Sequence, residues 1–475
     1  MWRTGSCTVV PPGQDGKGPE FGANTGLHAT SGPVGLRVRV PTLGGMKIVD
    51  SPAQVPDQGP DQVPDRAGAE PGEEIFLNPF APGFFDNPYA QYRDLREQAP
   101  VHQSPLGPWT LLRYEDCSRL LRDPSLSVEE ANISDGGSAR RELFAAAGYD
   151  RPDRGSLAIL NLDPPDHTRI RRLASKAFTP KRVEALVPRV QALVDGMLDD
   201  LTDGTMDVIA DLAFPLPFTV ISEMLGMPEG DRDELRGWSH TMVKSLEPMI
   251  TPEDVPVLID ASDRMIEHVH AAIEWKRKEP ADDLLSALIA VEEEGDRLST
   301  EELVAQVILL FIAGHETTVN LIGNGMLALL RNPDQLALLA STPELIGNAV
   351  DELLRFDSPV QFTRRVALQP FELDGNPVEP GTLIFTILGA ANHDPEHFGP
   401  TADQLDLTRR DAPHHLSFGG GIHHCLGAVL ARMEARIAIG TIVNRFPGIA
   451  LATDTPAWNG RLVLRGLDAL PVGLG

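Results

Sequence analysis

The 475-residue chain has only three cysteines, Cys7, Cys117 and Cys425, too few and too scattered for a disulfide framework. That scarcity fits a reducing cytoplasm and leaves Cys7 and Cys117 unpaired. Long hydrophobic runs are missing as well. The longest, Leu303 to Ala313, contains Gln306 and is shorter than the roughly 20 residues of a membrane helix, so no membrane span is expected. The opening residues lack the continuous apolar stretch of a secretory signal. Positive charge is scarce: 41 Lys and Arg stand against 68 Asp and Glu, a formal net charge of -27. Such acidity argues against nucleic acid or anionic membrane as a general partner. Neither a nicotinamide or flavin fingerprint nor a cysteine cluster for an iron–sulfur centre occurs, and no 20–50-residue repeat is present.

What is there begins with a change of texture. Residues 1 to 75, rich in Gly, Pro, Asp and Gln, cannot bury enough apolar surface to offset their ordering entropy. They are expected to be a disordered extension, with Met46 an alternative start. From Phe76 onward the pattern predicts a single domain, 76–475. Its first strands are read in VHQSPLGPWTLLRY, long helices from Thr168 to Ala340, and further strand-like material in Val366 to Leu373 and Leu462 to Leu464. The expected fold is mostly α with minor β-sheets.

The most informative stretch is Phe418-Gly419-Gly420-Gly421-Ile422-His423-His424-Cys425-Leu426-Gly427. It sets one cysteine among glycines, directly before the helical pattern LGAVLARMEARIAIG. Unpaired amides and the dipole at a helix N-terminus favour an anion there and are expected to lower the thiol pKa. Glycines remove Cβ atoms where backbone must turn tightly or lie against a flat ligand. The arrangement reads as an axial thiolate for haem iron. Zinc, suggested by His414, His415, His423 and His424, usually needs a second close Cys or His ligand pair at short spacing, and no second Cys is near.

The pattern Phe418, Gly419, Gly421, His423, Cys425, Gly427 resembles the haem-binding loop of the cytochrome P450 family. The resemblance to its soluble bacterial members covers nearly everything after residue 76. Another family pattern, A-G-x-E-T-T, is matched by Ala313, Gly314, Glu316, Thr317 and Thr318, within a helix that the capping box Ser299-Thr300-Glu301-Glu302 should open. Small residues there would let the helix pass close over the haem, with locally opened backbone leaving room for dioxygen and water. The resemblance implies that Thr317 acts beside the dioxygen and that Glu316 relays protons to it. Family members working as peroxygenases tend to lack this pair.

Two further sets follow. His167 and Arg171 share a helix face at i and i+4, and with Arg365 and His423 they resemble the family's donors to the two haem propionates. Glu352 and Arg355, one helical turn apart, resemble the family's structural ion pair, which Arg409 would complete. On the opposite face from His167 and Arg171, Arg169, Arg172 and Lys176 form a basic patch. It is the expected docking surface for an acidic electron donor.

Together these readings imply a haem-thiolate monooxygenase using haem b (iron protoporphyrin IX), dioxygen and a small apolar organic substrate. Electrons would come from a ferredoxin-type donor and its reductase. Regions expected to line the substrate space are Ser127 to Leu160, Ser239 to Ile250, Ile308 to Ala313, Val360 to Thr363 and the turn near Trp458. The rival readings are a haem-thiolate sensor without turnover and a non-haem metal scaffold built on the histidines.

Overall fold

The computed structural model describes residues 76–475 apart from 106, 135–136, 149–156, 203, 229–231 and 294. The expected extension over 1–75 lies outside the described residues, as does part of the Ser127 to Leu160 region. The described residues all fall within one compact unit.

Strands β1 (Val101–Gln103) and β2 (Trp109–Leu111) form the antiparallel pair expected around Pro105 to Pro108. They join β3 (Leu126–Ser127), β4 (Phe362–Ala367) and β5 (Leu383–Ile387) in a five-stranded sheet ordered β1-β2-β5-β4-β3. The strand read as Val366 to Leu373 is two: β4 ends at Ala367, and Phe371–Leu373 pairs with Asn376–Val378 across the turn at Asp374 and Gly375. Leu462 to Leu464 is not a strand. It makes one bridge, Leu464 to Val360, because Glu247 takes its amides instead.

Helices supply the rest: α1 (Tyr114–Arg122), α2 (Asp166–Ala177), α3 (Arg232–Met242), α4 (Asp254–Lys278), α5 (Thr300–Arg331), α6 (Ile346–Phe356) and α7 (Ala428–Arg445). The Ser299 hydroxyl accepts from the Glu302 amide while the Glu302 carboxylate accepts from the Ser299 amide, so α5 starts where its capping box places it. At 32 residues, with a mean hydropathy of 1.3 over its most apolar window, α5 is long and apolar enough to cross a membrane, which the apolar-run reading missed. Yet 72% of that window is buried inside the protein, the position of a central core helix. Val307, Phe311, Ile322, Met326 and Leu329 on α5 pack in the same core as Ala435, Ala438, Ile439 and Ile442 of α7.

The ion triad expected of Glu352, Arg355 and Arg409 forms beneath this core. Arg355 donates to both Glu352 oxygens at 2.7 and 2.8 Å, and Arg409 Nε lies 3.2 Å from Glu352 Oε1. Remaining guanidinium protons go to the carbonyls of Asn392, Ala402 and Gln404 from Arg355, and of Phe398 and Thr401 from Arg409. A buried charge network is tolerable only when satisfied in this way. It fixes the 392–409 segment against α6, below the cysteine loop.

Candidate functional site

The cysteine loop is shaped by its glycines. Gly419 and Gly421 adopt φ of +68° and +64°, in the left-handed region that side chains disfavour. A Cβ on Gly421 would also stand 2.4 Å from the Leu121 carbonyl oxygen at the end of α1. The loop closes through Cys425 N–H donating to Phe418 O at 2.9 Å. Helix α7 begins at Ala428, so Cys425 sits just ahead of the helix, as expected.

Its ionisation departs from expectation. Desolvation pushes the Cys425 thiol up, and this outweighs the amides of Gly427 and Ala428 and the charges of Arg171 and Arg432, which act to lower it. The residue as a whole is nonetheless exposed, although protein packs closely around the sulfur. Metal coordination deprotonates such a thiol outright. Arg432, missed in the sequence, is held by Asp351 at 2.6 Å and lies over the Phe418 ring at 4.5 Å.

The other face is α5. Between Val304 and Val319 most residues are buried, but Leu309, Leu310, Ala313, Gly314 and Thr317 are partly open and fall on one side of the helix. A Cβ on Gly314 would meet nothing within 4 Å. Leu309 and Leu310 share an apolar pocket with Leu426, the residue after the cysteine, so this open face begins against the cysteine loop.

The expected opening of the α5 backbone is absent: the helix is unbroken over Thr300–Arg331. The Thr317 hydroxyl donates to Ala313 O at 2.7 Å and Thr318 to Gly314 O at 3.2 Å. Both hydroxyls satisfy themselves on the preceding turn. Glu316 points away from the open face and is buried. Its Oε1 pairs with Arg461, while Oε2 lacks a hydrogen-bond partner and lies 3.6 Å from His240 Nδ1. At that distance His240 acts as a neighbouring charge when protonated, not as a hydrogen bond. Burial opposes ionisation of Glu316, but His240 and Arg461 outweigh it and hold the carboxyl below its usual range. Neither Arg461 nor His240 carries a local sequence signal.

The four expected anion donors do meet. The rings of His167 and His423 are 4.3 Å apart. Burial, followed by the charges of His167, Arg365 and Arg171, drives His423 down to about 3. Burial pulls Arg365 down to about 10, and its guanidinium donates only to the carbonyls of Arg364 and, at 3.5 Å, Leu121. Both ring nitrogens of buried His167 are unpartnered. Arg171 donates to His424 O at 2.5 Å, at the cysteine loop. Four side chains able to carry positive charge thus converge with no ion-paired carboxylate among the described residues, an arrangement that suits two carboxylates of a ligand. Beside an exposed cysteine and a partly open helix face, they fit haem.

The residues of the expected basic patch differ in their surroundings. Arg172 and Lys176 are exposed, but Arg169 turns to Asp296 and Glu302. Trp458 is likewise engaged, donating to Asp86 at 3.1 Å beneath the Arg465 guanidinium, and it is Arg461 from the same segment that reaches α5. No group of three or more His, Cys, Asp or Glu suited to a metal ion is present among the described residues, which leaves the histidine scaffold without a site.

Comparison with known proteins agrees. The family model described as Cytochrome P450 matches residues 125–340 and 344–456. The chain is similar to Cytochrome P450 107B1 of Saccharopolyspora erythraea, 42% identical over 85% of this chain and 99% of that protein. It also resembles the vitamin D(3) 25-hydroxylase of Pseudonocardia autotrophica, 43% identical over 83% of this chain and 96% of that one. Among solved structures, the Bacillus subtilis 168 bacillaene polyketide synthase cytochrome P450 PksS superposes with a TM-score of 0.76 at 36% identity, covering 84% of this chain and all of that one.

Proposed function

The chain belongs to the cytochrome P450 family, and from that premise we propose how its own residues serve a haem-thiolate monooxygenase reaction, in which one oxygen atom of dioxygen enters an organic substrate. Haem b, when bound, would supply the redox centre for oxygen activation, with a thiolate ligand favouring O–O cleavage. Cys425 would supply the thiolate, while His167, Arg171, Arg365 and His423 would hold the propionates. The observation that carries this assignment is the convergence of those four side chains, with no ion-paired carboxylate among the described residues, beside the exposed cysteine.

The open face of α5 presents Leu309, Leu310, Ala313 and Gly314 to the substrate space, which suits an apolar organic substrate. Thr317, on the same face, turns from the Ala313 carbonyl and holds a proton beside the reacting oxygen. Glu316, on the buried side, returns that proton from solvent. The electron donor is a ferredoxin with its reductase, docking where Arg172 and Lys176 are exposed, and the protein works in the cytoplasm.

The test is coupling. Thr317→Ala keeps haem and substrate binding but diverts reductant to hydrogen peroxide, lowering product per reductant by about tenfold or more, and Glu316→Gln slows turnover by about a hundredfold. Wild-type rate and coupling in both variants would overturn these roles.

A further inference from the structure

Glu316 is held by a part of the chain that sequence order places far away. Arg461 belongs to the strap 459–466, which crosses the buried side of α5. Asn459 N–H donates to Gly466 O at 3.0 Å and its side chain to Leu464 O at 3.0 Å, closing the strap on itself. Asn324 of α5 donates to Arg465 O at 3.0 Å. At Gly466 the approach is so close that a Cβ would stand 1.9 Å from Asn320 Oδ1.

A second contact fixes where Arg461 sits. The Glu247 carboxylate, in the connection between α3 and α4, accepts from the amides of Leu462 at 2.8 Å and Val463 at 3.2 Å, with Leu464 at 3.4 Å. Three consecutive amides converging on one carboxylate form an anion-binding concavity. The closed arrangement leaves Glu316 Oε2 and both amide atoms of Asn320 buried without partners. Such groups destabilise a closed packing and gain water when it opens.

We propose that Arg461 is a positioning residue for Glu316, and that Glu247 is the latch that sets Arg461, so that closure of the α3–α4 connection onto the strap controls proton supply at α5. The inference rests on the reading of Glu316 as proton donor. With the latch closed, Arg461 pins the carboxylate on the buried side, away from Thr317. Release of Glu247 lets the strap lift, frees Glu316 from Arg461 and admits water to Glu316 and Asn320. The charged and titratable groups around Glu316 are Arg461 on the strap, His240 and Arg236 on α3, and His315 on α5, whose Nε2 is engaged with Phe214 O at 2.9 Å.

The experiment uses the holoenzyme in two readouts, coupled turnover against pH and thermal unfolding midpoint against pH. Wild type is compared with Arg461→Gln, Arg461→Lys, Glu247→Gln and Glu316→Gln, and with Arg461→Gln combined with Glu316→Gln. In wild type a depressed Glu316 contributes stability that is present above the unfolded carboxyl value of about 4.3 and lost as pH falls through the folded value. Without Arg461 less charge opposes the burial penalty and the folded value rises, so the midpoint deficit of Arg461→Gln grows as pH climbs from the depressed wild-type folded value, levels off above the variant's own, and falls to a pH-independent remainder in acid. In the Glu316→Gln background the deficit is independent of pH. A proton donor works in its protonated form, so it is the alkaline limb of turnover that moves up, by about one pH unit or more in Arg461→Gln, the same way in Glu247→Gln, and it is restored by Arg461→Lys.

An unmoved alkaline limb in Arg461→Gln and Glu247→Gln, with a pH-independent midpoint deficit, would overturn the latch while leaving Glu316 as donor. Wild-type turnover in Glu316→Gln would instead remove the donor reading itself.

Discussion

Arg365 shows most clearly what the site is built to hold. It is buried and among the described residues donates to backbone carbonyls, and desolvation draws it down to about 10 against the opposing charge of Asp163. Without a bound anion its charge is offset only at a distance, by Asp163, with no ion-paired carboxylate among the described residues, and a well-packed apolar side chain would relieve it. Arg365→Met should therefore stabilise the haem-free protein by about 1–3 kcal/mol in denaturant unfolding, raising its midpoint, while speeding transfer of haem to a scavenging apoprotein by about tenfold or more. A lower haem-free midpoint with unchanged transfer would show that the guanidinium is scaffold. Residues of this kind were legible because they occupy patterned positions: His423 and Cys425 within one loop, His167 and Arg171 one turn apart. Arg461 was not, since it lies 145 residues from Glu316 and meets it only in the folded chain. The Glu316 assignment was legible as a motif, but its engagement by Arg461 and its buried orientation were not.

At the scale of elements, local chemistry decided what could be read. The α5 capping box acts within four residues, so its boundary was legible. The split after Ala367 turns on Asp374 and Gly375, whose positive φ values permit a tight hairpin turn, and it was missed when apolar content alone was followed. The missing strand at 462–464 has a tertiary cause, the Glu247 carboxylate. The glycines of the cysteine loop give a graded test. Gly419 has open space around its missing Cβ, whereas Gly421 is pressed against the end of α1, although their φ values differ by only a few degrees. Both alanine variants bear the backbone strain, but Gly421→Ala must also displace Leu121 and Arg122. It should be the less stable of the two by about 1–3 kcal/mol in denaturant unfolding and should retain less haem. Equal losses would mean that α1 does not brace the loop.

At the scale of the molecule, the one exposed cysteine among the described residues lies near the partly open face of the central helix. The Glu352, Arg355 and Arg409 network stiffens the underside, and the strap covers the back of α5. That division explains why motifs at the centre were legible and their long-range supports were not. The acidity of the chain, -27 overall, leaves the cationic site residues as a local exception, gathered where a dianionic cofactor needs them. The account stands or falls on Cys425 as the thiolate ligand, because the fit of the site to haem was argued around it. The most direct measurement is the absorption spectrum of the reduced, carbon-monoxide-bound holoprotein for wild type and Cys425→Ser at equal haem loading. The account predicts the red-shifted Soret band of a thiolate-ligated haem in wild type and its absence in the serine variant, whose hydroxyl cannot supply that electron density. The same red-shifted band in Cys425→Ser would contradict it.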